Sequence, residues 1–118
     1  MIAHVTVHTA KLEETLEFYQ WLLDLPIARR RETPKGEIVF LGAHETKFEL
    51  IGDREAKPID AKGMVIGFVV GDLDEKLGML DSKGISYSEI VSPRPGVRFA
   101  FFRDLNGCEI QLYENGEG

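Results

Sequence analysis

A chain of 118 residues, 43% hydrophobic and 29% charged, has the composition of one globular domain and not of a disordered segment. Its net charge of −6 excludes an extended nucleic-acid surface, and no apolar run approaches the roughly 20 residues of a membrane span. The single cysteine, Cys108, excludes an internal disulfide and a thiolate metal cluster within one chain, and residues 1–4 lack a signal-peptide pattern, so a cytoplasmic protein is expected.

Residues 2–9 alternate, with Ala3, Val5 and Val7 on one face and His4, Thr6 and His8 on the other, which predicts a half-buried strand. From 11 to 25 the period becomes helical. Leu12, Leu16, Tyr19, Leu22 and Leu23 form the apolar stripe, Glu13, Glu14 and Glu17 suit the N-terminal half, and Pro26 ends the helix. Three strands are expected at 27–31, 37–41 and 47–51, separated by turns at 34–36 and 42–45. The basic run Arg29-Arg30-Arg31, followed by Glu32, reads as a solvated strand edge.

A polar stretch at 52–63 containing Pro58 reads as a linker, after which the pattern returns. Residues 64–70 form an apolar strand, Asp72 is a helix N-cap, Leu73, Leu77 and Leu80 give the helix its stripe, and Gly84 stops it. Strands at 86–91, 97–103 and 108–113 follow. The last two are joined by Asp104-Leu105-Asn106-Gly107, a turn whose Asn-Gly pair tolerates positive φ. Residues 92–96 fit a lid or a stiff hairpin turn. Each half therefore reads strand, helix, strand, strand, strand, and Phe48-Glu49-Leu50 recurs about 60 residues later as Ile110-Gln111-Leu112. Two copies of one unit imply a pseudo-twofold domain.

The opening His4-Val5-Thr6-Val7 with Leu16-Glu17-Phe18-Tyr19 and Leu22-Leu23-Asp24-Leu25, the segment Ile66-Gly67-Phe68-Val69-Val70-Gly71-Asp72-Leu73-Asp74, and the ending Phe102-Arg103-Asp104-Leu105-Asn106-Gly107-Cys108-Glu109-Ile110-Gln111-Leu112 together resemble the vicinal oxygen chelate superfamily, which includes glyoxalase I and bleomycin-resistance proteins. The resemblance covers essentially the whole chain. It implies an α+β fold in which two βαβββ modules form an open, curled eight-stranded mixed sheet around a cavity, with helices outside. The module boundaries would be about 1–53 and 63–115, joined by a linker at 54–62, and relatives generally pair as homodimers.

The resemblance also implies four metal-ligand positions, which fall on His4, Glu49, Val65 and Gln111. His4 and Glu49 suit a divalent cation such as Ni, Zn, Mn or Fe, Gln111 offers a neutral amide oxygen, and Val65 has no donor. Extradiol dioxygenase and fosfomycin-transferase relatives need His on both modules and a terminal Glu, which this chain lacks. The nearest implied activity is that of a glyoxalase-like small-molecule lyase or isomerase, with Glu49 as the proton-moving carboxylate. Strand alternation turns His8, Glu109 and Tyr113 toward the cavity as substrate-binding candidates, and Arg98 is expected to border it and clamp an anionic group. The alternative is a metal-free protein that binds a small molecule through aromatic groups, with Trp21, Tyr87, Phe99, Phe101 and Tyr113 as candidates. Cys108 reads as a small hairpin residue and not a nucleophile.

Overall fold

In the computed structural model, which describes residues 1–116, the opening alternation becomes strand β1 (His4–Thr9). Val7 and Thr9 are buried, and His4, Thr6 and His8 are exposed. Helix α1 (Leu12–Leu23) buries Leu16, Tyr19 and Leu22 of the expected stripe together with Thr15 and Phe18, and leaves Leu12 and Leu23 at its two ends half-buried. It stops before Pro26 because Asp24 adopts a left-handed conformation (φ 52°) and its N–H closes on the Gln20 carbonyl at 3.1 Å. Strands β2 (Ile27–Thr33), β3 (Gly36–Leu41) and β4 (Lys47–Gly52) complete a first compact unit, Met1–Pro58. Its strand order is β1-β4-β3-β2, with β1 parallel to β4 and the other pairs antiparallel. One face buries Val7, Val39, Leu41, Phe48 and Leu50, and the Tyr19 ring of α1 meets Phe48 edge-on at 5.1 Å. Full burial of each such aliphatic side chain contributes about 1.5–3 kcal/mol.

From Ile59 onward the same order recurs as a second unit: β5 (Ile66–Val69), α2 (Leu73–Ser82), β6 (Val91–Arg94), β7 (Val97–Arg103) and β8 (Glu109–Asn115). The eight strands thus fall into two four-stranded mixed sheets, the second ordered β5-β8-β7-β6, in an α+β arrangement of two βαβββ modules. Leu73, Leu77 and Leu80 of α2 are buried along with Ala100, Phe102, Ile110 and Leu112 of the sheet. Asp72 caps α2 by accepting from the Glu75 N–H at 3.1 Å, and Gly84 follows its end at φ 68°. No helix among the described residues is long and apolar enough to cross a membrane.

Two elements differ from expectation. Residues 86–90 are not a regular strand, because the Ser88 side chain takes over part of the ladder. The Ser88 N–H donates to the Phe101 carbonyl, and the Phe101 N–H donates to Ser88 Oγ, both at 2.8 Å. Regular pairing with β7 begins only at Val91, and the strand tolerates Pro93 because β6 is the sheet edge. Residues 92–96 therefore belong to a hairpin that turns at Gly96 (φ 83°). Strand β5 is also shorter than expected and leaves Val65 outside it.

Within the second unit, the Glu114 carboxylate accepts from the Leu73 N–H at 2.7 Å, at the start of α2, and from Arg98 Nε at 2.9 Å. The Arg98 guanidinium, then the Leu73 N–H, holds Glu114 below the usual carboxylate range. A group shifted downward stabilises the fold above its unfolded value near 4.5 and loses that contribution as pH falls through its folded value. Glu114→Gln is expected to cost about 1 kcal/mol at pH 7, the size of a helix-cap contribution. Its urea midpoint should also fall less steeply than wild type below the ordinary carboxylate range.

Candidate functional site

Because direct cross-strand partners share a face, the register of the first sheet lines up Thr6, Glu49, Phe40 and Arg29 in one row across all four strands. The next row holds His8, Ile51, Ile38 and Arg31, and His4 stands beside Lys47. This is the face away from Val39, Phe48 and Leu50. On it Glu49 is only 8% exposed, an unusual position for a carboxylate without partners. It has two. The Thr6 hydroxyl donates to Glu49 Oε1, and His4 Nε2 lies 3.4 Å from the same oxygen. The His4 ring is held edge-on to Phe40 at 5.6 Å, and the Arg29 guanidinium carbon sits 4.7 Å over the other partner of that row, the Phe40 ring.

The 3.4 Å between His4 Nε2 and Glu49 Oε1 has a second meaning. Two donors each about 2.1 Å from one tetrahedral ion stand about 3.4 Å apart, so the spacing of this pair matches one edge of such a shell. Of the other two implied ligand positions, Val65 lies ahead of β5, is 40% exposed and has no donor atom. Gln111 lies on β8, where Gly67 makes room for its amide: a Cβ at Gly67 would stand 2.8 Å from Gln111 Oε1. Among the described residues, no group of three or more His, Cys, Asp or Glu side chains comes together to hold a metal. The carboxylate and imidazole have the donor chemistry of two ligands of a divalent cation.

The other candidates are distributed as follows. His8 faces the same side as His4, with Nδ1 3.9 Å from Asp53 Oδ2, and borders an open groove of about 950 Å³ that Ile51, Lys35 and Arg54 also line. In the second unit, Tyr113 stacks on Phe99 (6.2 Å, 15°), and Phe99 meets Phe101 edge-on at 5.6 Å. Their register partner Val69 is 81% exposed, so this face is apolar and open. Glu109 pairs with Arg103 at 3.3 Å. Arg98 differs from expectation: it shares its face with the buried Ala100 and Phe102, and its guanidinium is taken by Glu114 and Asp74 of the α2 side. Its strand position is as read, but alternation puts it on the helix-packed face. Trp21 is half-buried beside Phe18, and the Tyr87 hydroxyl donates to Asp81 at 3.2 Å. The partners missed at sequence level are Phe40 and Arg29. Phe40 could have been read by counting register back across the turn that joins β3 to β4, whereas Arg29 could not, because β2 carries an extra residue between Ile27 and Arg29.

Cys108 is buried, and burial first, then the nearby Asp104 carboxylate, pushes its thiol up to about 11. Native protein at pH 8 is expected to resist iodoacetamide over hours and to take up one equivalent on unfolding in urea, as read by intact mass. Rapid labelling of the folded chain would contradict this placement.

A family model described as the Glyoxalase/Bleomycin resistance protein/Dioxygenase superfamily matches residues 1–112. The chain is 27% identical over 122 residues to the uncharacterized protein YwkD of Bacillus subtilis (strain 168), covering 96% of this chain and 95% of that one. Among solved structures it is similar to the trypanothione-dependent glyoxalase I of Leishmania major, with a TM-score of 0.80, 22% identity, and coverage of 99% of this chain and 87% of that one. It is also similar to the fosfomycin resistance protein FosX of Listeria monocytogenes, in a complex with Mn(II) and sulfate, with a TM-score of 0.78, 14% identity, and coverage of 98% and 90%. At these identities the two structures bear on the fold alone. With the family model spanning both modules, the chain belongs to the glyoxalase/bleomycin resistance protein/dioxygenase superfamily.

Proposed function

We propose that the chain is a small-molecule lyase or isomerase of the glyoxalase kind, in which His4 and Glu49 hold a divalent cation and Glu49 moves the proton. The observation that carries this reading is the convergence of His4 Nε2 and Thr6 Oγ1 on one oxygen of a nearly buried carboxylate. An imidazole nitrogen beside a carboxylate oxygen suits Ni, Zn, Mn or Fe better than Mg or Ca. FosX, which shares the fold, is known in complex with Mn(II). When bound, such a cation would polarise a substrate oxygen and stabilise the negative charge that develops there.

The protein's own residues supply the rest. Thr6 fixes Glu49 Oε1, which sets the plane of the carboxylate. From that position the carboxylate would take the proton from the hydroxyl-bearing carbon next to a substrate carbonyl and return it to the carbonyl carbon, while the hydroxyl proton passes to the former carbonyl oxygen, so that the substrate is isomerised and the carboxylate regenerated. Phe40 meets the His4 ring edge-on at 5.6 Å and packs against one side of the imidazole. The edge strands of both sheets need cover, and a cytoplasmic homodimer is the assembly proposed with this function.

Elemental analysis of tag-free protein tests the reading, followed by calorimetric titration of Ni, Zn, Mn and Fe(II) into the chelator-stripped chain. About one equivalent bound per chain supports it. No binding at micromolar concentrations would overturn it and favour a second reading, metal-free capture of an apolar ligand, which the stacked Phe99–Tyr113 pair and exposed Val69 support.

A further inference from the structure

We propose that Arg29 is the anchor for a carboxylate on the substrate, so that the small molecule acted on at Glu49 is a carboxylic acid. This inference rests on the function proposed above and names its substrate class.

The argument begins with a strand irregularity. Ile27 pairs with Leu41, but Arg29 pairs with Phe40, so Ala28 is an extra residue in β2. In an uninterrupted strand, residues 27 and 29 share a face, and Arg29 would follow Ile27 to the side of buried Leu41. The extra residue reverses that parity and turns Arg29 to the face of Phe40 and Glu49. Bulges characteristically re-aim one side chain, and here the side chain is a guanidinium.

Its pairing differs from that of Arg30 beside it in the strand, and from that of Arg98 and Arg103 in the second unit. Arg30, on the opposite face, is paired with Glu37 at 2.6 Å and Glu13 at 3.1 Å. Arg98 is paired with Glu114 and Asp74, and Arg103 with Glu109. Arg29 has no carboxylate partner among the described residues, and its guanidinium carbon lies 4.7 Å over the Phe40 ring. A ring contact of this kind uses none of the guanidinium N–H groups as donors to a carboxylate, so the fork that binds a carboxylate bidentately is still available. Arg31 follows on the same face and adds positive charge. Lys47 does not compete, because its ammonium group is held by the Ala43 and Glu45 carbonyls at 2.6 and 3.0 Å. Glu49 is two strands from Arg29 in the same row, about 10 Å at the usual strand spacing. That interval accommodates a short acid whose carboxylate meets Arg29 while its oxygenated carbons reach Glu49.

The test uses metal-stripped, 15N-labelled protein titrated with acetate, pyruvate and inorganic phosphate while the Arg29 Nε–Hε resonance is followed in the wild type and the backbone amides of β2 and β3 in the wild type and every variant. Acetate and pyruvate are expected to shift that resonance saturably. Arg29→Gln should weaken their binding at least about tenfold, the cost of losing a charged hydrogen-bonding partner. Arg29→Lys should weaken it similarly, since an ammonium keeps the charge but not the fork, whereas Arg30→Gln should leave it within a factor of two. Arg29 is exposed, so these variants should fold as wild type does. Carboxylate affinity unchanged in Arg29→Gln would overturn the proposal, as would binding of phosphate alone. The two readings fail separately. Arg29-dependent carboxylate binding by a chain that takes up no metal removes the metal mechanism and keeps the carboxylate site. Metal uptake without Arg29 dependence does the reverse.

Discussion

Glu49→Ala is expected to weaken divalent-cation binding by more than the roughly 10–100-fold that follows loss of an outer partner of a ligand. Thr6→Val is expected to fall within that 10–100-fold range, because Thr6 only orients Glu49 Oε1. The ordering of these two variants in a calorimetric titration matters more than either value. Equal losses would mean that Thr6 itself is a donor, and no loss in either would mean that the 3.4 Å contact with His4 is a plain ion pair. Stability should move in the opposite direction. Glu49 is nearly buried beside Phe40 and Ile51, so Glu49→Leu removes a carboxylate that is costly to keep from water. Its urea midpoint is expected to equal or exceed that of wild type while cation binding disappears, the pattern of a residue retained for function at the expense of stability. His4→Ala should instead destabilise, since it leaves the same carboxylate with one partner fewer.

Three glycine-to-alanine changes should separate backbone strain from steric exclusion in the second unit. Gly107→Ala has the largest expected effect, more than about 2 kcal/mol, from a positive φ compounded by a backbone clash. Gly107 sits at φ 89°, and a Cβ there would stand 2.3 Å from the Ile59 carbonyl oxygen, in a segment held by the Ile59 N–H donating to the Asn106 carbonyl at 2.7 Å. Gly84 has a similar φ of 68° but nothing within 4 Å of a Cβ, so Gly84→Ala should show the conformational cost alone, about 1 kcal/mol. Gly78 lies inside α2 with no crowding, and Gly78→Ala should stabilise by about 0.5–1 kcal/mol. Urea midpoints measured side by side check all three. A Gly107→Ala variant no worse than Gly84→Ala would show that the Ile59 segment yields easily and does not pin the turn.

The Asp104–Gly107 turn illustrates how far local signals reach. Its residue types announced a turn, and the structure has one, built around the Asp104 carboxylate, which accepts from the Asn106 and Cys108 N–H groups at 2.9 Å each. Only Gly107 takes positive φ there, and the reason it must be glycine includes Ile59, nearly fifty residues away. The same division runs through the candidate site. Alternation in 4–9 and 47–51 placed His4, Thr6 and Glu49 on strands, but the hydrogen bond and the contact that join them depend on the parallel register of β1 and β4.

What the sequence determined by itself was the order of elements, the two-module plan, the buried stripes of both helices and the capping of α2 by Asp72. Each of these is set by residues within a few positions of one another, where period, turn chemistry and capping act directly. Only the tertiary structure decided which face a polar residue serves. One extra residue at Ala28 turns Arg29 toward Glu49, strict alternation commits Arg98 to the α2 side, and the Ser88 side chain displaces a stretch of expected strand. A strand has a period of two, so a single-residue shift in pairing exchanges its faces, and that shift is set by partners distant in the chain.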